Sequence, residues 1–151
     1  MNKILLVLIA IFLVNSCSYE PILTSKENDF SLENIKSDSD SKINVIIKKN
    51  LLEKSDSYSK NNYDLYFSTE NEKEIVSSNE SGDSTIFKIK IILNYSLSQN
   101  GKLIFTDKIV KQVNYNNIDD KFELLKYEEN ILSNLLKNIS LEILSTITNL
   151  N

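Results

Sequence analysis

The clearest pattern in the chain is an alternation of apolar and polar residues between 84 and 98. Side chains of a β-strand point alternately to its two faces, so this pattern predicts a long strand with one buried face. Asn100–Gly101 follows, the favoured pair for a two-residue type I′ turn. A second apolar run then predicts the other strand of a long antiparallel hairpin. Its apolar residues are Leu103, Phe105, Ile109, Val113 and Tyr115.

Two further stretches have an extended pattern. Residues 29–36 predict a short first strand. Residues 62–78 predict a strand interrupted by a bulge, because the alternation lapses in the middle and then resumes. Between this strand and the long one, residues 79–83 predict a turn in which Gly82 takes a positive φ.

Helical spacing occurs in two places. Ser and Asp side chains in residues 37–41 offer oxygens for an N-cap, and a helix with one apolar face is predicted from Ile43 to Lys54. Residues 119–148 predict a second helix, roughly 45 Å long, whose first turn carries the carboxylates of Asp119, Asp120 and Glu123. Its apolar line is Leu124, Tyr127, Ile131, Leu135, Ile139, Ile143, Ile147 and Leu150, widened by Leu125, Leu132, Leu136 and Leu144.

The predicted element order is β-α-β-β-β-α. Sequential strands with one apolar face and two one-sided helices bury themselves most simply as layers. We therefore expect an α+β two-layer sandwich, with two helices packed on one face of a mostly antiparallel four-stranded sheet. This single domain would span residues 29–151.

The other face of the sheet is expected to carry lysines. Strand parity places four of them on this face, which are Lys88, Lys90, Lys102 and Lys108. Apolar residues interrupt the same face at Ile92, Ile104 and Val110. Two interpretations remain open. The lysines form a solvated surface beside incidental apolar residues, or the face contacts an anionic, partly apolar ligand or the wall of a barrel.

The N-terminus has the pattern of an export signal. Eleven apolar residues, 4–14, lie between Lys3 and Cys17, and this run is too short to span a bilayer as a helix. We predict a lipoprotein signal peptide over residues 1–16, cleavage before Cys17, acylation of the Cys17 thiol, and a tether over residues 17–28. A secretory peptide followed by an unrelated free cysteine, or a signal anchor, has a similar pattern.

Cysteine usage favours the lipoprotein interpretation. Cys17 is the only cysteine, so no intramolecular disulfide can form, and acylation gives the thiol a purpose. The mature chain would be anchored to a membrane through its lipid rather than embedded in it. Ser18 follows the cysteine, whereas Asp at this position resembles an inner-membrane retention signal. We therefore expect delivery to the periplasmic face of the outer membrane.

Composition argues against catalysis. The chain has no histidine and only two glycines, which excludes a histidine-based nucleophilic apparatus, histidine metal ligands and a Gly-rich phosphate loop. Nothing in the sequence pairs two carboxylates in a cleft, so we expect no enzyme activity, no metal and no cofactor. The formal net charge is −4 and becomes −5 when Lys3 leaves with the signal, so no affinity for nucleic acid is expected.

The chain as a whole resembles the lipopolysaccharide-assembly lipoproteins of the LptE family, particularly their short alphaproteobacterial forms. The resemblance rests on the start Cys17-Ser18-Tyr19-Glu20-Pro21-Ile22, the element order and the long terminal helix. It implies a non-enzymatic protein that plugs the outer-membrane barrel LptD, helps the barrel to assemble and assists delivery of lipopolysaccharide to the outer leaflet. The family often uses arginine to meet lipid A phosphates, and this chain has none, so any phosphate contact would use lysine as a point charge.

A second function class stays open. The chain would then be a periplasmic lipoprotein that binds a lipid or another amphiphile between helices and sheet without a barrel partner.

Overall fold

A computed structural model describes residues 30–55, 59 and 61–150. The predicted signal peptide, Cys17 and the tether lie outside the described residues. The helices and strands are β1 Ser31–Ser37, α1 Lys42–Leu52, β2 Asn62–Ser78, β3 Ser84–Gln99, β4 Lys102–Asn116 and α2 Lys121–Leu150. The predicted order and the α+β fold class are confirmed, and each predicted element lies within a few residues of its observed bounds.

The four strands lie side by side in the order β1-β2-β3-β4. β2, β3 and β4 are antiparallel neighbours, whereas β1 runs parallel to β2 because α1 carries the chain back to the end where β1 began. Ser31 lies opposite Asn62 and Ser37 opposite Phe67, so β1 flanks only the first part of β2. We call the end of the sheet where β1 begins the proximal end, and the end with the 79–83 turn the distal end.

Two of the irregularities in strand register affect faces that the alternation predicts. The predicted irregularity in β2 lies between Ile75 and Ser77. A second one, which the sequence pattern did not indicate, lies in β4. There Leu97 faces Phe105 but Ser98 faces Leu103, so Ile104 is an extra residue.

The predicted turn and cap chemistry is present. Asn100 and Gly101 have φ of 52° and 75°, the positive values that a type I′ turn requires. Ser41 caps α1, since its Oγ accepts the N–H of Asn44 at 3.2 Å. Asp120 Oδ1 accepts the first free N–H groups of α2, at 2.8 Å and 3.0 Å.

The core lies between the sheet and the two helices. The alternating positions of β3 face the helices as predicted, and the last half of α2 packs its apolar stripe against them. The largest fully buried side chains are Phe30, Phe67, Ile47, Leu51, Leu65, Ile91, Leu93, Leu97, Leu136, Ile139, Ile143 and Ile147. Neither α1 nor α2, the helices of the described residues, is long and apolar enough to cross a membrane.

The predicted apolar stripe of α2 is buried only in part. Leu125 was expected in this stripe but is 62% exposed, and Tyr127 and Leu150 are also largely accessible. The stripe is therefore correct for residues 136–147 of α2 and too wide for the first turns of the helix and for its last residue.

One fully buried polar side chain, Asn44, joins three segments. Its Nδ2 donates to Asp38 Oδ1 (2.9 Å) and to the carbonyl oxygen and Oγ of Ser39 (2.9 Å and 3.1 Å). Its Oδ1 accepts the hydroxyl of Thr69 at 2.6 Å. Asn44 therefore fixes the start of α1 and the turn before it to the middle of β2.

Candidate functional site

Two of the predicted lysines are paired with glutamates on the face of the sheet that points away from the helices, which we call the open face. β2 places Glu72 opposite Lys90 and Glu74 opposite Lys88. The Lys88 Nζ lies 2.6 Å from Glu74 Oε2, and the Lys90 Nζ lies 2.9 Å from Glu72 Oε2. These pairs are cross-strand neighbours of opposite charge, an arrangement that stabilises sheets modestly. The distal half of the open face is thus charged but internally compensated.

The pairs shift the pKa values of Glu74 and Lys90. The hydrogen bond from Lys88, with the charge of Lys88, holds the pKa of the Glu74 carboxyl below its usual value. The hydrogen bond to Glu72 raises the pKa of the Lys90 ammonium. Because the pKa of Glu74 is lowered, its pairing contributes to stability above the ordinary glutamate pKa and is lost as the pH falls through the lowered value.

A Lys88→Met variant is expected to raise the pKa of the Glu74 carboxyl towards its usual value, because the ammonium that favours the charged form is gone. Carboxyl-detected NMR titration measures this shift. Lys108→Met is the matched control, since Lys108 lies opposite Asn94 in another part of the sheet, and it should leave the Glu74 titration unchanged. An unchanged Glu74 pKa in Lys88→Met would show that the pair does not form in solution.

The structure does not bring the four predicted lysines together. Lys108 is exposed on the open face, as predicted. The bulge at Ile104 reverses the parity of the first residues of β4, so Lys102 lies opposite Gln99, on the helix side of the sheet. The placement of Lys102 on the open face was therefore wrong, because the alternation was extended through the extra residue.

Apolar side chains occupy the middle and the proximal part of the open face. Ile92 is only 8% exposed although neither of the two described helices covers this face, and Val110 lies opposite it at 46% exposure. The bulge adds exposed side chains at Leu103 and Ile104, and β2 adds Tyr66. The open face combines paired charges at its distal half with an apolar region nearer the proximal end.

A cleft of about 730 Å³ lies at the distal end, between the helix side of the sheet and the first turns of α2. Glu128 lies on its wall and accepts hydrogen bonds from the Tyr115 hydroxyl and the Lys73 ammonium, both at 2.7 Å. Burial, with this hydrogen bond, raises the pKa of the Tyr115 hydroxyl. Lys73 Nζ also lies 4.9 Å from the centre of the Phe87 ring. The charges of Lys73 and Glu128 are therefore paired with each other in the wall of the cleft.

The open face and the cleft present ion pairs, amides and apolar side chains. In the part of the chain that the structure describes, no three or more acidic or thiol side chains are grouped so that they would hold a metal ion.

Comparison with known proteins identifies the fold. No family model matches the chain, and no curated protein matches it in sequence. Solved structures do match. Rare lipoprotein B of Shewanella oneidensis has a TM-score of 0.59 at 12% identity, covering 80% of this chain and 93% of its own.

Two further solved structures give the same result. The uncharacterized lipoprotein B of Nitrosomonas europaea has a TM-score of 0.61 at 15% identity, over 82% of this chain and 87% of its own. A minor lipoprotein of Acinetobacter baumannii has a TM-score of 0.53 at 11% identity, over 79% of this chain and 93% of its own. The chain therefore has the fold found in these bacterial lipoproteins.

Proposed function

We propose that this protein is an LptE-like outer-membrane lipoprotein that partners and plugs the LptD barrel, and that it assists assembly of the barrel and delivery of lipopolysaccharide to the outer leaflet. The observation that carries the proposal is the open face of the sheet. This face is long, carries charges that pair with one another, and is apolar near its centre.

The chemistry of the open face suits contact with a large protein surface. An unpaired charge is costly to remove from water, whereas charges that already pair with one another lose less when a partner covers them. The exposed side chains of Val110 and Ile104 supply an apolar region, and the Lys88–Glu74 and Lys90–Glu72 pairs supply a polar border, which is the usual anatomy of a protein interface. The face therefore fits the polar inner wall of a barrel better than it fits open solvent.

The N-terminal pattern and the shared fold support the envelope location. The structural relatives are themselves named lipoproteins. Together with the short apolar run that ends at Cys17, they support a lipid-anchored protein, which we place on the periplasmic face of the outer membrane. The role is non-enzymatic and needs no cofactor.

Purification of the full chain from solubilised outer membranes tests the proposal. A β-barrel protein of much larger mass is expected to copurify with it. Val110→Glu places an unpaired carboxylate in the centre of the open face and should lower recovery of the barrel at least tenfold. Val110 is exposed, so the variant should keep its fold. Leu141→Glu is the matched control, because Leu141 is also exposed but lies on α2.

Two outcomes contradict the barrel partnership. The first is recovery of free monomer alone. The second is normal arrival of lipopolysaccharide at the outer leaflet after the protein has been depleted.

The alternative function, capture of an amphiphile between helices and sheet, finds less support. Fully buried side chains such as Leu93, Leu136 and Ile143 fill the space between the layers except at the distal cleft, whose wall carries paired charges. Native mass spectrometry separates the two functions, since a lipid retained by the isolated monomer would favour the alternative.

A further inference from the structure

The helix layer covers the two halves of the sheet unequally. α1 begins at Lys42, whose Nζ lies 3.0 Å from Glu129 Oε1 on α2. From that level towards the distal end, α2 continues through residues 121–128 and β2 through residues 68–78. No second helix accompanies them within the described ranges 30–55 and 61–150. The cleft at the distal end lies in this region, which α1 would cover if the helix began several residues earlier in the chain.

The walls of this region are apolar. Phe122 and Leu125 lie seven and four residues before Glu129, so they share the stripe of α2 that faces α1 further down. They are 77% and 62% exposed. Across from them, the helix side of the sheet carries Ile75, which lies opposite Phe87 and is largely exposed. We call the surface formed by Ile75, Phe87, Phe122 and Leu125 the distal groove.

The distal groove consists of apolar side chains that no neighbouring helix of the described residues covers. On the same helix, closer to the proximal end, Leu136 and Ile139 are fully buried beneath their neighbours. Phe87 and Leu125 line the same cleft, Ile75 lies opposite Phe87 on the sheet, and Phe122 lies one helical turn before Leu125. Apolar side chains that lie close together at the surface mark interaction sites.

The charges around the groove are negative. Asp83 and Asp119 line the cleft, and Glu80 lies in the same turn as Asp83. Lys121 is the positive charge among them, which leaves a net charge of −2 for these four groups. Lys73 does not change this balance, because Glu128 pairs with it. This border disfavours an anionic lipid or phosphate group and favours a basic segment.

We propose that the distal groove binds a short amphipathic helix of a partner protein, with its apolar side chains on Ile75, Phe122 and Leu125 and its basic residues against the acidic border. The wall that α2 provides, residues 121–128, is about 12 Å long, which fits two to three helical turns. A helix in this position would continue the layer that α1 starts.

A tryptophan-labelled peptide tests the proposal. The probe is a 14-residue model helix with leucine on one face, lysine on the other and a single tryptophan. The protein is the full mature chain from residue 17 with Cys17→Ala, which needs no detergent. Because this chain has no tryptophan, a blue shift of the emission reports burial of the peptide. We expect saturable binding, at least tenfold weaker for a peptide with glutamate in place of lysine.

Matched variants locate the binding. Leu125→Lys should weaken binding of the lysine peptide at least tenfold, because it puts a like charge in the groove. Leu141→Lys, at another exposed leucine of the same helix, should leave binding unchanged. Circular dichroism melting checks that both variants fold, and Phe122→Lys replaces Leu125→Lys if the latter is destabilised.

Several results would overturn the proposal. Equal binding of the lysine and glutamate peptides would show unspecific apolar adsorption, and unchanged binding to Leu125→Lys would place the contact elsewhere. Phosphatidylglycerol vesicles that bind through Leu125 would make the groove a lipid site. A dimer that Leu125→Lys dissolves in sedimentation would make a second copy the occupant. The peptide experiment uses no barrel, so its result is independent of the barrel partnership.

Discussion

Replacement of Cys17 by alanine is expected to abolish incorporation of labelled palmitate and to release the protein from membranes washed with carbonate. Cys17 is the only thiol in the chain, so no other cysteine can take the acyl chains. Each buried methylene contributes about 0.8 kcal/mol to membrane binding, and the loss of every acyl chain removes the whole anchor. Radiolabelling and membrane fractionation measure the two effects.

The control for this prediction is Ser18→Ala, which changes the neighbouring residue and should keep the label. A wild-type protein without label would contradict the lipid anchor. The N-terminal run would then be an ordinary secretory peptide or a signal anchor.

Asn44→Ala is expected to destabilise the fold by about 2–3 kcal/mol, because it leaves the Thr69 hydroxyl and the groups of the 38–39 turn without their buried partner. For a chain of this size, that corresponds to a fall in melting temperature of roughly 5–10 °C. Thermal and urea unfolding measure it.

Two comparisons isolate the cause. Asn138→Ala, at an exposed asparagine on α2, should change the free energy of unfolding by less than about 0.5 kcal/mol. Thr69→Val combined with Asn44→Ala should cost less than the sum of the single changes, because both remove the same hydrogen bond. Additive costs would mean that the Asn44–Thr69 bond contributes nothing.

The strand faces were predictable from the sequence because alternation is a local property. Ile89, Ile91 and Leu93 are buried as their pattern predicts. The face of Lys102 was not predictable, because the extra residue at Ile104 is visible only in the register between two strands. Once a bulge is present, every position beyond it changes face.

The glutamate partners of the lysines were missed for a related reason. Glu72 and Glu74 alternate along β2 as clearly as the lysines do along β3, so a signal existed in the sequence. Assigning Glu74 to Lys88 needs the strand register, which depends on packing between distant parts of the chain. The sequence therefore predicted the charge on the open face but not its compensation.

The exposure of Leu125 illustrates a third limit. Helical periodicity places Leu125 on the apolar side of α2, and this orientation is correct. Whether that side is covered depends on where α1 begins. Its first residue, Lys42, lies beside Glu129, so α1 does not extend as far as Leu125. Periodicity predicts which way a side chain points, and the neighbouring element decides whether it is buried.

The direction of β1 decides at which end of the sheet the predicted tether joins the fold. Phe30 joins the fold at the proximal end, and the chain from Cys17 to Phe30, about thirteen residue steps, would span at most about 45 Å when fully extended. The distal groove lies roughly 40 Å further along the sheet, about twelve residues of β3 from the proximal turn. The distal groove therefore lies at the end of the sheet opposite the point where the predicted tether joins the fold, and an anchor at Cys17 would leave the groove the more distant of the two ends.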